Sequence, residues 1–412
     1  MHSKEADGCR LCRYRRVQEK RPDRDCLNGE VTVYLTLTFV LFVSLILALV
    51  ESASVQMAKN YRRADMNRAL ECVFAEYQKE LLENYDVFAI ECGYETGTYT
   101  EQNILDRLSY YGADMENEIE RIQLFTDNSG ELFRDQVGKY MKHKYGIAWA
   151  DKYLGNVSLW KNQEEKADEF TEEEENPMQH VAELKRSSIL GLVLPKDKTI
   201  SEKQISLQEM PEKRENHTGY GAFSDVEPED GTLTSVLLGE YVIDHFTDFT
   251  DGPKGGELDY ELEYILAGRE SDKGNLETVA KKLVMLRFVP NYIYLQTSST
   301  KQSEARAAAG TLCTLLAVPA VTEAAAQGIL LAWAYGESVM DVRSLLDGQK
   351  AAITKDDTNW QLSLSGLMKL GTDEDTGTGM DVQDGMGYKD YMRMLLFLEG
   401  KERMSMRAMG II

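Results

Sequence analysis

The sequence is poor in the residues that most chemistry requires. It has five histidines, six cysteines and eight prolines in 412 residues. His2, His143, His180, His217 and His245 share no ligand spacing, so a histidine metal centre is not expected. There is no phosphate loop, no dinucleotide fingerprint and no H-E-x-x-H pair. The segment GESVM, Gly336–Met340, lacks the second glycine of a nucleophile elbow. Asp373 and Asp375 hint at a calcium loop, but Gly377 and Thr378 stand where a ligand and the turn glycine are needed; an acidic hairpin tip is expected instead. Positive charge is also short, 46 Lys and Arg against 69 Asp and Glu, for a net of −23. Such a chain repels phosphate backbones, which excludes nucleic acid as a partner of the main body.

The cysteines are too few and too irregular for a disulfide framework. Cys9 and Cys12 form a C-x-x-C with Cys26 behind it, and zinc would need His2 as the fourth ligand; free thiols are expected. Cys72, Cys92 and Cys313 are odd in number, which argues against full pairing and leaves one bridge open. No cofactor and no catalytic residue is implied.

Val31 to Val50 holds no charge, and Val31 to Tyr85 holds neither proline nor glycine. A twenty-residue apolar run matches a hydrocarbon core of about 30 Å crossed by a helix rising about 1.5 Å per residue. It is too long for the core of a secretory signal, and Glu51 spoils the cleavage site that would end at Ala53. The segment is therefore expected to stay as a membrane helix over 30–53. Residues 1–28 carry eight bases against five acids, a net of +3, which leaves −26 on everything after. The basic leader, 1–29, is expected in the cytoplasm and the body outside. Beyond the run, Met66, Leu70, Val73, Tyr77 and Leu81 keep helical phase, so one helix is expected to Tyr85, about 80 Å long. Ser44, Ala48 and Ser52 place small residues at four-residue spacing, a candidate face for helix association.

The rest divides into a helical stalk and first part of a head over 54–160, an acidic polar linker over 161–231, and a head over 232–412. Residues 86–100 read as strand and turn. In ELDYELEY, Leu258, Tyr260, Leu262 and Tyr264 alternate with four acids, which predicts a strand with one wet face. TNWQLSL, with Trp360, Leu362 and Leu364 alternating, predicts another. Asp272 is a plausible cap for a helix with the stripe Leu276, Val279, Leu283 and Leu286. The apolar region 304–339 is broken by Pro319 and Glu323, which predicts two buried helices rather than a second span. Trp333 and Tyr335 are expected in their core. The fold class expected is α+β, a long N-terminal helix followed by a mixed extracytoplasmic head.

The stretch NGEVTVYLTLTFVLFVSLILALVESASVQMAK, followed by ALECVFAEYQKELLENYDVFAIECGY, resembles a family of Gram-positive anaerobes encoded with tight-adherence (Tad, or Flp) pilus genes, itself similar to TadE/TadG-type pilin-like proteins. LDYELEYILAGRESDKGNLETVAKKLVMLRFVPNYIYL, ILLAWAYGESVMDVRSLLDGQK and GYKDYMRMLLFL share the resemblance, which covers about half of the chain. It implies a single-pass, non-enzymatic pilus component whose partners are the membrane and other pilin-like or assembly subunits, with self-association through the N-terminal helix. It also implies processing after Gly29, before Glu30. Pilins often carry Glu at the fifth mature position; here that position is Tyr34, and the acid is Glu30. The alternative is a membrane-tethered binding or scaffold protein outside any filament.

Overall fold

The computed structural model describes residues 24–94, 99–146, 155, 158, 162, 189–196, 198–206, 217–221, 231–252, 256–375 and 377–412. Cys9, Cys12 and most of the acidic linker lie outside these residues. In chain order the helices are α1 (Arg24–Ala75), α2 (Lys79–Tyr85), α3 (Glu101–Tyr110), α4 (Glu131–Tyr145), α5 (Leu190–Val193), α6 (Gly231–His245) and α7 (Glu261–Ala267). They continue as α8 (Asp272–Thr297), α9 (Ser299–Leu315), α10 (Thr322–Leu346), α11 (Leu364–Leu367), α12 (Tyr388–Leu398) and α13 (Lys401–Ile411). The α+β expectation is wrong: among the described residues there is no sheet, only four isolated bridges.

The chain forms two units, Met1–Glu76 with Cys92–Asn117, and Tyr77–Glu91 with Glu118–Ile412. In the first, α1 packs on α3 at its C-terminal end, where Ala69, Val73, Leu108 and Ala113 are buried. The expected single helix to Tyr85 stops at Ala75 although no breaker is present. Tertiary pairing ends it. Glu76 gives its carboxylate to the Tyr111 hydroxyl at 2.6 Å and to Arg107 at 3.4 Å. In the second unit, Tyr77 bridges Ile90 and the Gln78 amide donates to the Ala89 carbonyl, so these backbone groups are spent on a partner rather than on a helix. Among the described residues of 86–100, that bridge is all that stands where a strand was expected.

The second unit is built on α8 and α10, with α9 against α10, α7 beside α8, and α4 and α12 on α6. The stripe foreseen on α8 is real: Leu276, Val279 and Leu283 are fully buried. Ser271 caps α8 by accepting from the Gly274 amide, while Asp272 reaches backwards to the amides of Asp259 and Tyr260. The core also draws on Val87, Phe133, Val137 and Met141, well ahead of residue 232.

ELDYELEY is the end of a loop and the start of α7. Its acids are not a wet face. Glu263 is fully buried and Asp259 nearly so. Glu257 stays exposed, and the other three are consumed internally: Glu261 accepts from the Thr247 amide and hydroxyl, Glu263 from the Phe249 amide, and Asp259 from Lys203. TNWQLSL is a turn leading into α11, held by the Gln361 and Leu362 amides donating to Glu337. In both segments the period-two pattern fits a strand, but buried carboxylates and backbone amides pair with each other instead of entering a ladder.

Candidate functional site

The helix α1 has 52 residues, about 78 Å at about 1.5 Å each. Within it, Gly29–Ala75 is the one described segment long and apolar enough to cross a membrane, with a mean hydropathy of 2.7 in its best window. From Gly29 to Ala64 every residue is exposed except Thr38. The hydroxyls do not demand water: Thr36, Thr38 and Ser44 donate to the carbonyls of Val33, Tyr34 and Leu41 in the same helix. An apolar environment tolerates such side chains because their donors are satisfied internally. Ser44, Ala48 and Ser52 lie on the exposed length of α1. Gly29 and Glu30 are helical and exposed, and nothing surrounds the place where a Gly29 side chain would sit.

The sequence-singled residues of the second unit go to structural tasks. Trp333 is fully buried, its indole donates to the Leu362 carbonyl at 2.7 Å, and Trp360 meets it edge-on at 5.7 Å. Gly336 is where Leu362 and Leu367 press on α10: a Cβ there would lie 2.7 Å from each. Asp375 accepts from Arg343 at 2.9 Å and from the amides of Gly371 and Gly377. The bond from Arg343, joined by the Gly371 and Gly377 amides and opposed by burial, pulls its carboxyl down to about 2. His245 stacks on Tyr241 at 4.2 Å and meets Asp86 at 3.0 Å. Cys72 and Cys313 carry free thiols. A cleft of about 430 Å³ opens between Trp360, Gln361, Lys369, Asp375 and Met380.

Sequence reading missed a buried ionic knot. Arg287 on α8 lies 3.0 Å from Asp341 on α10 and donates to the Tyr391 hydroxyl on α12 at 2.8 Å. Lys355 donates to Glu337 at 2.6 Å and to Asp341 at 2.7 Å. Asn291 adds bonds to Ser338 and Asp341. Two acids face two bases, so the knot is neutral. Burial is the largest influence on Glu337 and pushes its carboxyl up. Burial acts upward on Asp341 too, yet Arg287 and Lys355 hold it below its ordinary value. The signal was present: Arg287 follows Leu283 by four positions in the buried stripe, and Glu337 precedes Asp341 by four in an apolar helix.

A second cluster sits near α7. Glu263 accepts from the Phe249 amide at 3.0 Å and from the Tyr388 hydroxyl at 2.6 Å. Asp248, also fully buried, lies 3.3 Å from Lys389. Burial first, and Asp248 second, push Glu263 up to about 8.

These features define a class: a chain with, among the described residues, one helix long and apolar enough to span a bilayer, and a helical body that buries ionisable groups in its core. The profile of a family of unknown function (DUF5702) matches residues 167–412, more than half of the chain, and the protein belongs to that family. No curated protein and no solved structure matches it.

Proposed function

We propose that the protein is a single-pass membrane subunit with a structural, non-enzymatic role, a pilin-like component of a tight-adherence pilus or surface-appendage system. The basic leader faces the cytoplasm, and the helical body lies outside. The observation that carries the reading is the exposed, unbroken course of α1 from Gly29 to Ala64. A plain anchor needs about 20 residues. Here the helix continues past the apolar run at Val50 into a polar stretch that remains uncovered up to Ala64. That is surface for lateral packing against other helices, with Ser44, Ala48 and Ser52 allowing close approach.

The alternative, a tethered scaffold outside any filament, is favoured by Tyr34 at the position where pilins carry Glu. One variant separates the two. Ala64→Pro lies outside the lipid run, is exposed, and precedes the buried contacts of Ala69 and Val73. Proline in a helix interior costs about 3 kcal/mol and bends the axis. The variant is expected in membranes at normal levels but absent from the sheared surface fraction. Normal amounts of wild-type-like appendage in that strain would sink the pilin-like reading and leave the tethered scaffold.

A further inference from the structure

The hairpin of α9 and α10 ends in an apolar tip that nothing described in the chain covers. Leu312 is 48% exposed, Leu315 79% and Leu316 64%, with Val318 and Val321 close behind. From Ala307 to Thr322 there is no charged residue. The charge-free segment is bracketed by Arg306 and Glu323, which pair at 3.2 Å on the exposed surface.

Its polar atoms are spent internally. Thr311, Thr314 and Thr322 donate their hydroxyls to the carbonyls of Ala307, Gly310 and Pro319. At the apex the amides of Leu316, Ala317 and Val318 bond to Leu312, Thr314 and Cys313. Hydrocarbon requires donors to be satisfied internally in this way. The length also fits. From Arg306 to Leu316 is ten residues, about 15 Å of helix, or half of a hydrocarbon core of about 30 Å.

We infer that this tip inserts into one leaflet of the membrane that α1 crosses, with Arg306 and Glu323 at the headgroup level. The occupant of the apolar surface is lipid acyl chain. The inference rests on α1 anchoring the chain at a bilayer, the coarser part of the proposed function. With no basic residue between Arg306 and Glu323, insertion is driven by apolar contact and needs no anionic lipid.

The test uses the full chain in phosphatidylcholine vesicles whose acyl chains are brominated, with the native tryptophan signal subtracted. Leu315→Trp is exposed and leaves the core untouched. Its emission is expected to be blue-shifted and quenched at least twofold, equally with and without phosphatidylserine. Leu398→Trp, exposed elsewhere in the second unit, should show neither effect. Leu41→Trp reports the anchor separately. If Leu41→Trp is quenched and Leu315→Trp is not, the tip inference fails and the anchor stands. If Leu41→Trp escapes quenching, the anchor reading fails, and the Leu315→Trp result alone decides the tip. A blue shift at Leu315→Trp that depends on protein concentration without quenching would assign the tip to a second copy of the chain and overturn lipid insertion.

Discussion

Raising the pH should weaken the second unit through one carboxyl. Glu263 titrates near its ordinary 4.5 in the unfolded chain and is pushed up to about 8 in the fold by burial and by Asp248. Below about pH 4.5 both states hold the proton and the group is neutral in its effect. As pH rises towards 8 the unfolded chain releases the proton while the folded one keeps it, so the folded state loses ground. Above about 8 both are ionised and the penalty is complete. At about 1.4 kcal/mol per pH unit over that window, the ceiling is about 5 kcal/mol. Glu263→Gln retains an oxygen to accept from the Phe249 amide and the Tyr388 hydroxyl, and it cannot ionise. The assay is urea unfolding of the detergent-solubilised full chain at pH values from about 5 to about 8.5, followed by tryptophan fluorescence, since Trp333 and Trp360 both lie in this unit. The variant should gain stability over the wild type by several kcal/mol across that range. Glu337 is pushed in the same direction and remains in both proteins, so the difference between their profiles isolates Glu263. Parallel profiles would refute the reasoning and mean that Glu263 is ionised in the fold at neutral pH.

Arg287→Met removes one base from the knot and leaves Asp341 buried with Lys355 alone; the loss should be about 3–5 kcal/mol in the same unfolding assay, and a loss under about 1 kcal/mol would mean the charges do not hold α8 to α10. For topology, a chain retaining only Cys12 should escape a membrane-impermeant thiol reagent on intact cells, while an otherwise cysteine-free chain with Ala64→Cys should react. The reverse pattern would place the leader outside.

The legible parts of this fold were those written in composition. The helix long and apolar enough to span a bilayer needed only a charge-free run of the right length. The turn between α9 and α10 was marked by Pro319. The end of α1 was not legible, because Tyr77 finds Ile90 through a pairing that no local residue announces. Period-two acids suggested a wet strand in ELDYELEY, and only the amides of Thr247 and Phe249, distant until the chain folds, reveal what those acids bind. Trp333 was rightly placed in the core from its helical neighbours. The exposure of the α9–α10 tip escaped sequence reading for a related reason: its leucines have the same composition as a buried helix, and burial is decided by what packs on them.

The division of the chain carries a mechanical consequence. One unit takes residues up to Glu76 and then Cys92–Asn117, the other Tyr77–Glu91 and then everything from Glu118. The backbone therefore crosses between them three times. Tension drawn along α1 reaches Ala75 and meets a fork. One branch runs on through Tyr77. The other passes sideways through Glu76 into Tyr111 and Arg107 of the α3 segment, whose two ends are themselves sewn into the second unit. A nick at either of the later crossings would leave the halves joined by the other two, whereas a nick after Glu76 would leave α1 held by its side-chain contacts with the α3 segment. A pull applied through α1 is thus shared between its one covalent strand and that lateral route, which passes it on through the two ends of the α3 segment.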